Sequence, residues 1–264
     1  MEAKIIGNLE LINSKITSVG EGNIIFVDPS ADKVSLKDSS IVFEGNNNLL
    51  YLGGGKKPLV FKSTLQNDSI LYIGKNASFH KKADLHILCS ERRHVFIGDG
   101  SLFSTNVWVR TSDAHAIYSA KTGERTNPAK SIIIGDHVWV GQSTLILKGT
   151  VIGSGSVIAA GGVTSNKVLF SNSIYGGVPA KLIGEEGSIF FEKEAVNGVT
   201  SDCNTSSENI KKFTYKCGSE SVEFFTKLSD YLSATHPVQE SIEFFKNLSK
   251  DKNRLAIHSK EFKN

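Results

Sequence analysis

"IIIGDHVWVGQSTLILKGTVIGSGSVIAAGGV", residues Ile132 to Val163, returns to the same pattern every six residues. Ile134, Val140, Ile146, Ile152 and Ile158 fall six apart, and Gly, Gly, Leu, Gly and Ala follow them. Two positions before each stand Ile132, Val138, Thr144, Thr150 and Ser156. Positions two apart in an extended segment share a face, so both members of each pair point into one interior. A small residue next in line lets the backbone bend, and a small Ser or Thr leaves room at the corner. A helix would space its apolar residues three and four apart, and a straight strand needs no corner. What remains is a solenoid of short strands stacked as parallel sheets.

The same phase holds upstream at Ile73, Phe79 and Leu85 and at Ile97, Phe103 and Val109, while Glu91 keeps the count without the hydrophobe. Residues 1–72 are looser. "IIFVDPSADKVSLKDSSIVFEGNNNLLYLGG", Ile24 to Gly54, is rich in β-branched residues and turn formers and reads as irregular N-terminal β coils placed to cap the solenoid. The regular β-helical region is expected over 73–184. Residues 185–264 form a C-terminal extension, first polar, then with Val222, Phe225, Leu228 and Leu232, and Val238, Ile242, Phe245 and Leu248, at helical spacing on either side of Pro237. Two helices are expected there, packed on the solenoid or on a neighbouring subunit.

Composition narrows the function classes. Thirty basic and 27 acidic side chains give a net charge of +3 over 264 residues, too little for a nucleic-acid-binding field. No window approaches the roughly 18 apolar residues of a transmembrane segment, and "EAKIIGNLELINSK" lacks the basic start and apolar run of a leader, so the expectation is cytoplasmic. Cys89, Cys203 and Cys217 are odd in number with no CxxC pair, which fits small buried hydrophobes better than a disulfide framework or a zinc site.

The rhythm breaks once, in "RTSDAHAIYSAKTGERTNPAKSIIIGDHVWVG", Arg110 to Gly141. Residues 116–130 read as an inserted loop that begins just after His115, and loops on rigid scaffolds often carry function. Alone, His115 reads as a surface loop histidine. Asp113 shares its side of an extended segment, where it either orients the imidazole or serves as a turn carboxylate. Trp139, between inward Val138 and Val140, faces outward, either as a platform for a sugar ring or cofactor or as a packing contact; Trp108 is undecided. His80, His86, His94 and His137 are scattered and read mostly as solvated.

Three stretches, "IGDGSLFSTNVWVRTSDAH" (97–115), the opening repeat and "NSIYGGVPAKLI" (172–183), resemble the hexapeptide-repeat acyltransferases, in their sugar and antibiotic acetyltransferase branch. The resemblance implies an all-β solenoid, a left-handed parallel β-helix of three hexads per turn, with the loop near 116–130 and a C-terminal α-helical extension. It implies an acetyl-CoA-dependent O-acetyltransferase with His115 as catalytic base, Trp139 lining the groove and Asp113 beside the base. The donor would lie along Gly141, Gln142, Ala160, Gly161 and Thr164, with Lys167 and Lys181 at its charged end; around Lys167 the chain reads "VTSNKVLFSNS" where the family has "VTKDVPPNS". It implies a homotrimer with sites between subunits, His115 and Trp139 meeting across the interface, and a carbohydrate acceptor such as a capsule, polysialic acid or lipopolysaccharide sugar. From the residues themselves, Arg92, Arg93 and Arg110 are basic side chains upstream of His115 that either read an acceptor carboxylate or are plain surface charges, whereas Asp84 falls where the family places a contact to the acceptor hydroxyl. No metal is implied.

The chemistry agrees with the residue types. A hydroxyl attacking a thioester must lose its proton near pH 7, which imidazole, with a pKa near 6.5, is suited to accept. Turn-rich backbone can supply N–H donors to the tetrahedral oxyanion. Three other readings compete: N-acetylation of an amino sugar or antibiotic, a noncatalytic β-solenoid scaffold, and a zinc carbonic anhydrase of the same fold. The last needs three converging histidines, and the first after His115 is His137.

Overall fold

The computed structural model describes residues 2–82, 84–190 and 206–258. Strands of two to five residues stack into three long faces. The first face holds eight, from Lys4–Ile6 through Ile24–Val27, Leu49–Leu52, Ile70–Ile73, Val95–Ile97, Ile132–Ile134 and Val151–Ile152 to Val168–Leu169. The second runs from Ser78–Phe79 through Leu102–Phe103, Trp139–Val140 and Val157–Ile158 to Ile174–Gly176, where Lys181–Leu182 closes it as the antiparallel member. The third includes Ser40–Glu44, Lys62–Gln66, Leu85–Cys89, Val107–Arg110, Leu145–Leu147 and Val163–Thr164. The chain visits the three faces in turn, which makes a parallel β-helix.

The side chains of the hexads fill the prism. Ile134, Val140, Ile146, Ile152 and Ile158 are fully buried, and so are Thr144, Thr150 and Ser156 two places before. These small polar residues do more than leave room. The Thr144 hydroxyl donates to the Gly141 carbonyl at 2.7 Å and the Ser156 hydroxyl to the Phe170 carbonyl at 2.7 Å, so buried corner carbonyls find partners inside the coil.

Coil length explains where the rhythm is visible. From Ile133 to its partner Val151 a turn takes 18 residues, and from Leu71 to Val95 it takes 24, both multiples of six. Glu91 falls in the surplus of the longer turn, at a corner with φ 56°, which is why it needs no hydrophobe. Earlier turns take 25 and 21 residues, Ile24 to Leu49 and Leu49 to Ile70, so the phase is lost although the strands stack on the same faces.

Among the described residues three helices follow: α1 (Ser207–Phe213), α2 (Ser219–Ser233) and α3 (Val238–Lys246), the last capped by Pro237. The spacing of apolar residues anticipates α2 and α3, whereas α1 lies in polar sequence without periodicity. Phe225, Leu228 and Leu232 of α2 and Ile242 and Phe245 of α3 pack on the outside of the first face. There Phe26, Tyr51, Tyr72 and Phe96 form a ladder of rings with centroids 5.2, 5.0 and 4.5 Å apart, and Phe245 lies 4.9 Å from Tyr72. Strands Leu49–Leu52 and Ile70–Ile73 are therefore buried on both sides and apolar throughout. Each such helix side chain contributes at most about 1.5–3 kcal/mol.

A charged clasp fastens the end of the extension. Arg254, 5% exposed, donates from Nε and Nη2 to the Asp136 carboxylate at 2.9 and 2.8 Å and lies 3.0 Å from Asp99. The two aspartates occupy the same corner one turn apart, and the Asp99 N–H donates to Asp136 at 2.7 Å. Burial pushes the Asp99 carboxyl up, against the pull of the guanidinium.

Two histidines differ from the solvated reading. His94 is fully buried: its Nδ1 accepts from the Ile70 N–H at 3.1 Å, so its Nε2, 2.9 Å from the Ala234 carbonyl, is the donor. His137 is half-buried between the rings of Phe190 and Phe213, at 4.2 and 4.6 Å. Among the cysteines, Cys89 is buried and its thiol is pushed up by that burial, Cys217 is half-buried, and Cys203 lies outside the described residues. Among the described residues no helix is long and apolar enough to cross a membrane.

Candidate active site

Strand Val107–Arg110 delivers the chain to the loop. Val107 and Val109 point inward, Trp108 outward, and Thr111 and Ser112 then turn in. The Thr111 hydroxyl accepts from the Ser90 N–H at 2.8 Å, and the Ser112 and Ser90 hydroxyls lie 2.6 Å apart, which fixes the last rung before the departure. Ala114 adopts φ 66°, a left-handed conformation unusual for a residue with a Cβ. That bend throws His115 out of the wall, and its side chain is exposed at the loop entrance.

The loop is a short hairpin. The Thr126 N–H donates to the Ile117 carbonyl and the Ser119 N–H to the Glu124 carbonyl, each at 2.8 Å. Asn127, 9% exposed, staples the base: its Nδ2 donates to the His115 carbonyl at 2.8 Å and to Asp113 at 2.9 Å, and its Oδ1 accepts from the Ile117 N–H at 2.7 Å. Arg125 makes a two-pronged pair with Glu91, at 2.6 and 3.0 Å, tying the hairpin to the preceding turn. None of Asn127, Arg125 or Lys148 stands out in the sequence as part of a site.

Asp113 differs from the orienting role expected of it. Its carboxylate is held by Lys148 and by Asn127 rather than by the His115 ring, and the Lys148 hydrogen bond above all keeps it below the usual carboxylate range against partial burial. The Lys148 ammonium also donates to the Asn127 carbonyl at 3.0 Å. Asp113 thus holds the loop base, and the loop base holds His115.

The residues expected around the donor divide. Trp139, Gly141, Gln142 and Ala160 line one apolar groove of about 590 Å³ on the second face, walled by Val157, Ile174 and Phe190. Trp139 is 39% exposed with the Phe190 ring 5.8 Å away. Gly161 is exposed beside the groove, at φ 71°, and a Cβ there would meet nothing within 4 Å. Thr164 is different, because the whole residue is buried and its hydroxyl lies 3.4 Å from that of buried Thr150, away from the groove. Lys167 donates to the Ala180 carbonyl at 2.8 Å, next to exposed Lys181, so the two expected cations adjoin.

The two halves do not meet within one chain. His115 follows the third face and Trp139 stands on the second, and the groove around Trp139 is lined without His115. Among the arginines, Arg92 pairs with Asp68 at 3.3 Å, and Arg93 donates to the carbonyls of Ala129 and Ser233 at 3.3 and 3.1 Å. Arg93 is thus tied to the fold, whereas the Arg92 side chain stays largely exposed. Arg110 keeps its Nε buried and, among the described residues, without a hydrogen-bond partner, as does the Oδ1 of Asp84.

No family model matches the chain. Over 144 residues it is 30% identical to the polysialic acid O-acetyltransferase of Neisseria meningitidis, an alignment covering 54% of this chain and 64% of that relative. Over 59 residues it is 37% identical to the polysialic acid O-acetyltransferase of Escherichia coli O1:K1 / APEC, covering 22% of this chain and 19% of that one. The chain therefore spans less than two thirds of these relatives' own length. The crystal structure of the polySia specific acetyltransferase NeuO superposes with a TM-score of 0.61 at 25% identity, covering 74% of this chain and 88% of that one. The polysialic acid O-acetyltransferase OatWY superposes at 0.58 with 24% identity, covering 79% and 100%, and speaks to the fold.

The likeness to the hexapeptide-repeat acyltransferases holds. Within that fold His115 stands at the loop entrance and Trp139 on the outward side of a strand. The hexapeptide repeat also accounts for Gly141, where a Cβ would meet the Ala160 nitrogen of the next turn at 2.6 Å. That glycine is demanded by coil stacking before any ligand is considered.

Proposed function

We propose that this protein transfers an acetyl group from acetyl-CoA to a hydroxyl of an acidic cell-surface polysaccharide, with His115 as general base. The observation that carries this reading is an exposed imidazole at the base of a stapled loop, in a chain whose aligned relatives are named for O-acetylation of polysialic acid. Neutral His115 takes the acceptor proton as the hydroxyl oxygen attacks the thioester carbonyl. The tetrahedral intermediate collapses, the C–S bond breaks, and the imidazolium returns its proton to the departing thiolate. No acyl-enzyme forms.

The donor fits the second face. The groove beside Trp139 is apolar and crosses the rungs of Trp139, Val157 and Ile174, the direction a pantetheine arm laid along the stack would take, and Lys167 and Lys181 supply charge for phosphates at the closing motif. Because His115 and Trp139 occupy different faces, we assign the complete site to a homotrimer in which one subunit's loop faces the next subunit's groove. With acetyl-CoA as the proposed donor, we assign the reaction to the cytoplasm.

The test is acetyl-CoA-dependent thiol release with polysialic acid and with amino-sugar acceptors. Transfer to polysialic acid hydroxyls supports the proposal, transfer to amines alone would move the activity to N-acetylation, and no transfer with any acceptor, together with no rise in melting temperature on adding acetyl-CoA, would leave a scaffold.

A further inference from the structure

The third face carries a second groove, which neither the base nor the donor uses. Its cavity is about 350 Å³, within the range of small-molecule sites. Lys62, His86 and Trp108 stand on three successive strands in direct register, so their side chains form a column about 10 Å long. Trp108 is 38% exposed, and the His86 ring stacks beneath the next rung against it, with centroids 4.2 Å apart and planes 6° from parallel. That stack holds the indole in a fixed orientation with part of its surface open.

The lining itself is basic, with Lys62, His86 and Arg110 as its ionisable residues. Burial together with Lys62 keeps His86 toward its neutral form, against the pull of the nearby Asp84 carboxylate. Arg110 stands in the adjacent column, on the strand that leads into His115, and its buried Nε lacks a hydrogen-bond partner among the described residues. The nearby Asp113 carboxylate is engaged by Lys148 and Asn127. An indole surface beside a guanidinium with a free donor and an ammonium matches a sugar ring that carries a carboxylate. Two fixed cations are too few for a nucleic-acid track.

We propose that this groove binds a carboxylate-bearing sugar unit of the acceptor chain, one or more units away from the unit acetylated at His115. The assignment rests on the acceptor class proposed above. It makes recognition of a polymer, rather than of a single sugar, a property of the outer wall of the helix itself.

The test measures thiol release with sialic acid oligomers of increasing length, comparing wild type with Trp108→Ala, Trp108→Phe and Arg110→Gln, each checked for an unchanged melting temperature. Wild-type KM is expected to fall as the oligomer lengthens. Trp108→Ala and Arg110→Gln should raise KM for the longer oligomers about tenfold with kcat within about twofold, remove the length dependence, and leave Trp108→Phe near wild type. An unchanged KM and length dependence in both variants would overturn the subsite, as would a loss confined to kcat. Binding of the same oligomers to His115→Ala protein, by calorimetry, separates the two proposals. Binding lost on adding Trp108→Ala upholds the groove even if wild type transfers no acetyl, which would sink the acetyltransferase reading alone. Equal binding with and without Trp108, or none in either protein, sinks the groove.

Discussion

Asn127 donates its side-chain N–H to the backbone carbonyl of His115 at 2.8 Å, closing the loop on the residue that opens it. The imidazole is thus placed by a side chain twelve residues away, with Asp113 and Lys148 completing the base of the loop. Asn127→Ala frees that base. We expect kcat to fall about tenfold to a hundredfold, since small displacements of the proposed base would cost that much, with the pH profile unmoved because that residue is unchanged. Steady-state rates across pH check this; wild-type kcat would remove the staple from the account.

Arg254 predicts a stability effect. Truncation to Ala leaves the buried Asp136 carboxylate without its partner and beside the half-buried Asp99, which should cost about 3–5 kcal/mol. Thermal unfolding measures the loss. Hydrogen exchange should show protection falling in Leu49–Leu52 and Ile70–Ile73, the strands under α2 and α3.

His94 predicts a pH dependence. Burial lowers its pKa to about 4, helped by Arg93 and His236 and opposed by the Ala234 hydrogen bond and Asp68. The unfolded chain, with an ordinary histidine near 6.5, binds the proton first, so stability falls as pH drops below about 6.5 and continues to fall to about 4, by about 3 kcal/mol in all. His94→Gln should be less stable at pH 7 yet flatter in this window. Parallel melting curves of the two proteins would contradict this.

Two glycines separate packing from ligand approach. Gly141→Ala drives a Cβ against the Ala160 backbone and should destabilise by about 1–3 kcal/mol. Gly161→Ala meets open space, so its cost is the left-handed φ, about 1 kcal/mol. A rise in KM for acetyl-CoA in Gly161→Ala, with little change in melting temperature, supports donor binding beside it.

The separation of His115 and Trp139 on different faces predicts complementation. His115→Ala and Trp139→Ala proteins should each be impaired, and mixed assemblies of the two should regain activity because some interfaces carry both native residues. Mixed oligomers, verified by mass, that regain none would place both residues in one subunit's site.

The parts legible in sequence are those built from neighbours. The five hexads from Ile134 to Ile158 declare the helix because a turn there takes 18 residues, and the coils before Ile70 hide it because 25 and 21 are not multiples of six. His115 and Trp139 are marked by motif and by outward alternation. Asn127, Lys148 and Arg254 are not, since each acts on residues 12, 35 and 118 positions away and looks like an ordinary polar residue in its own segment. His94 follows two arginines and reads as surface; its burial comes from Ala234, which is 140 residues distant.

The central claim is that His115 accepts the acceptor's proton, and acetyl-CoA-dependent thiol release on polysialic acid, wild type against His115→Ala, tests it most directly. The account expects kcat to drop about a hundredfold or more while KM for acetyl-CoA stays close to wild type. A His115→Ala protein that turns over at the wild-type rate would contradict it.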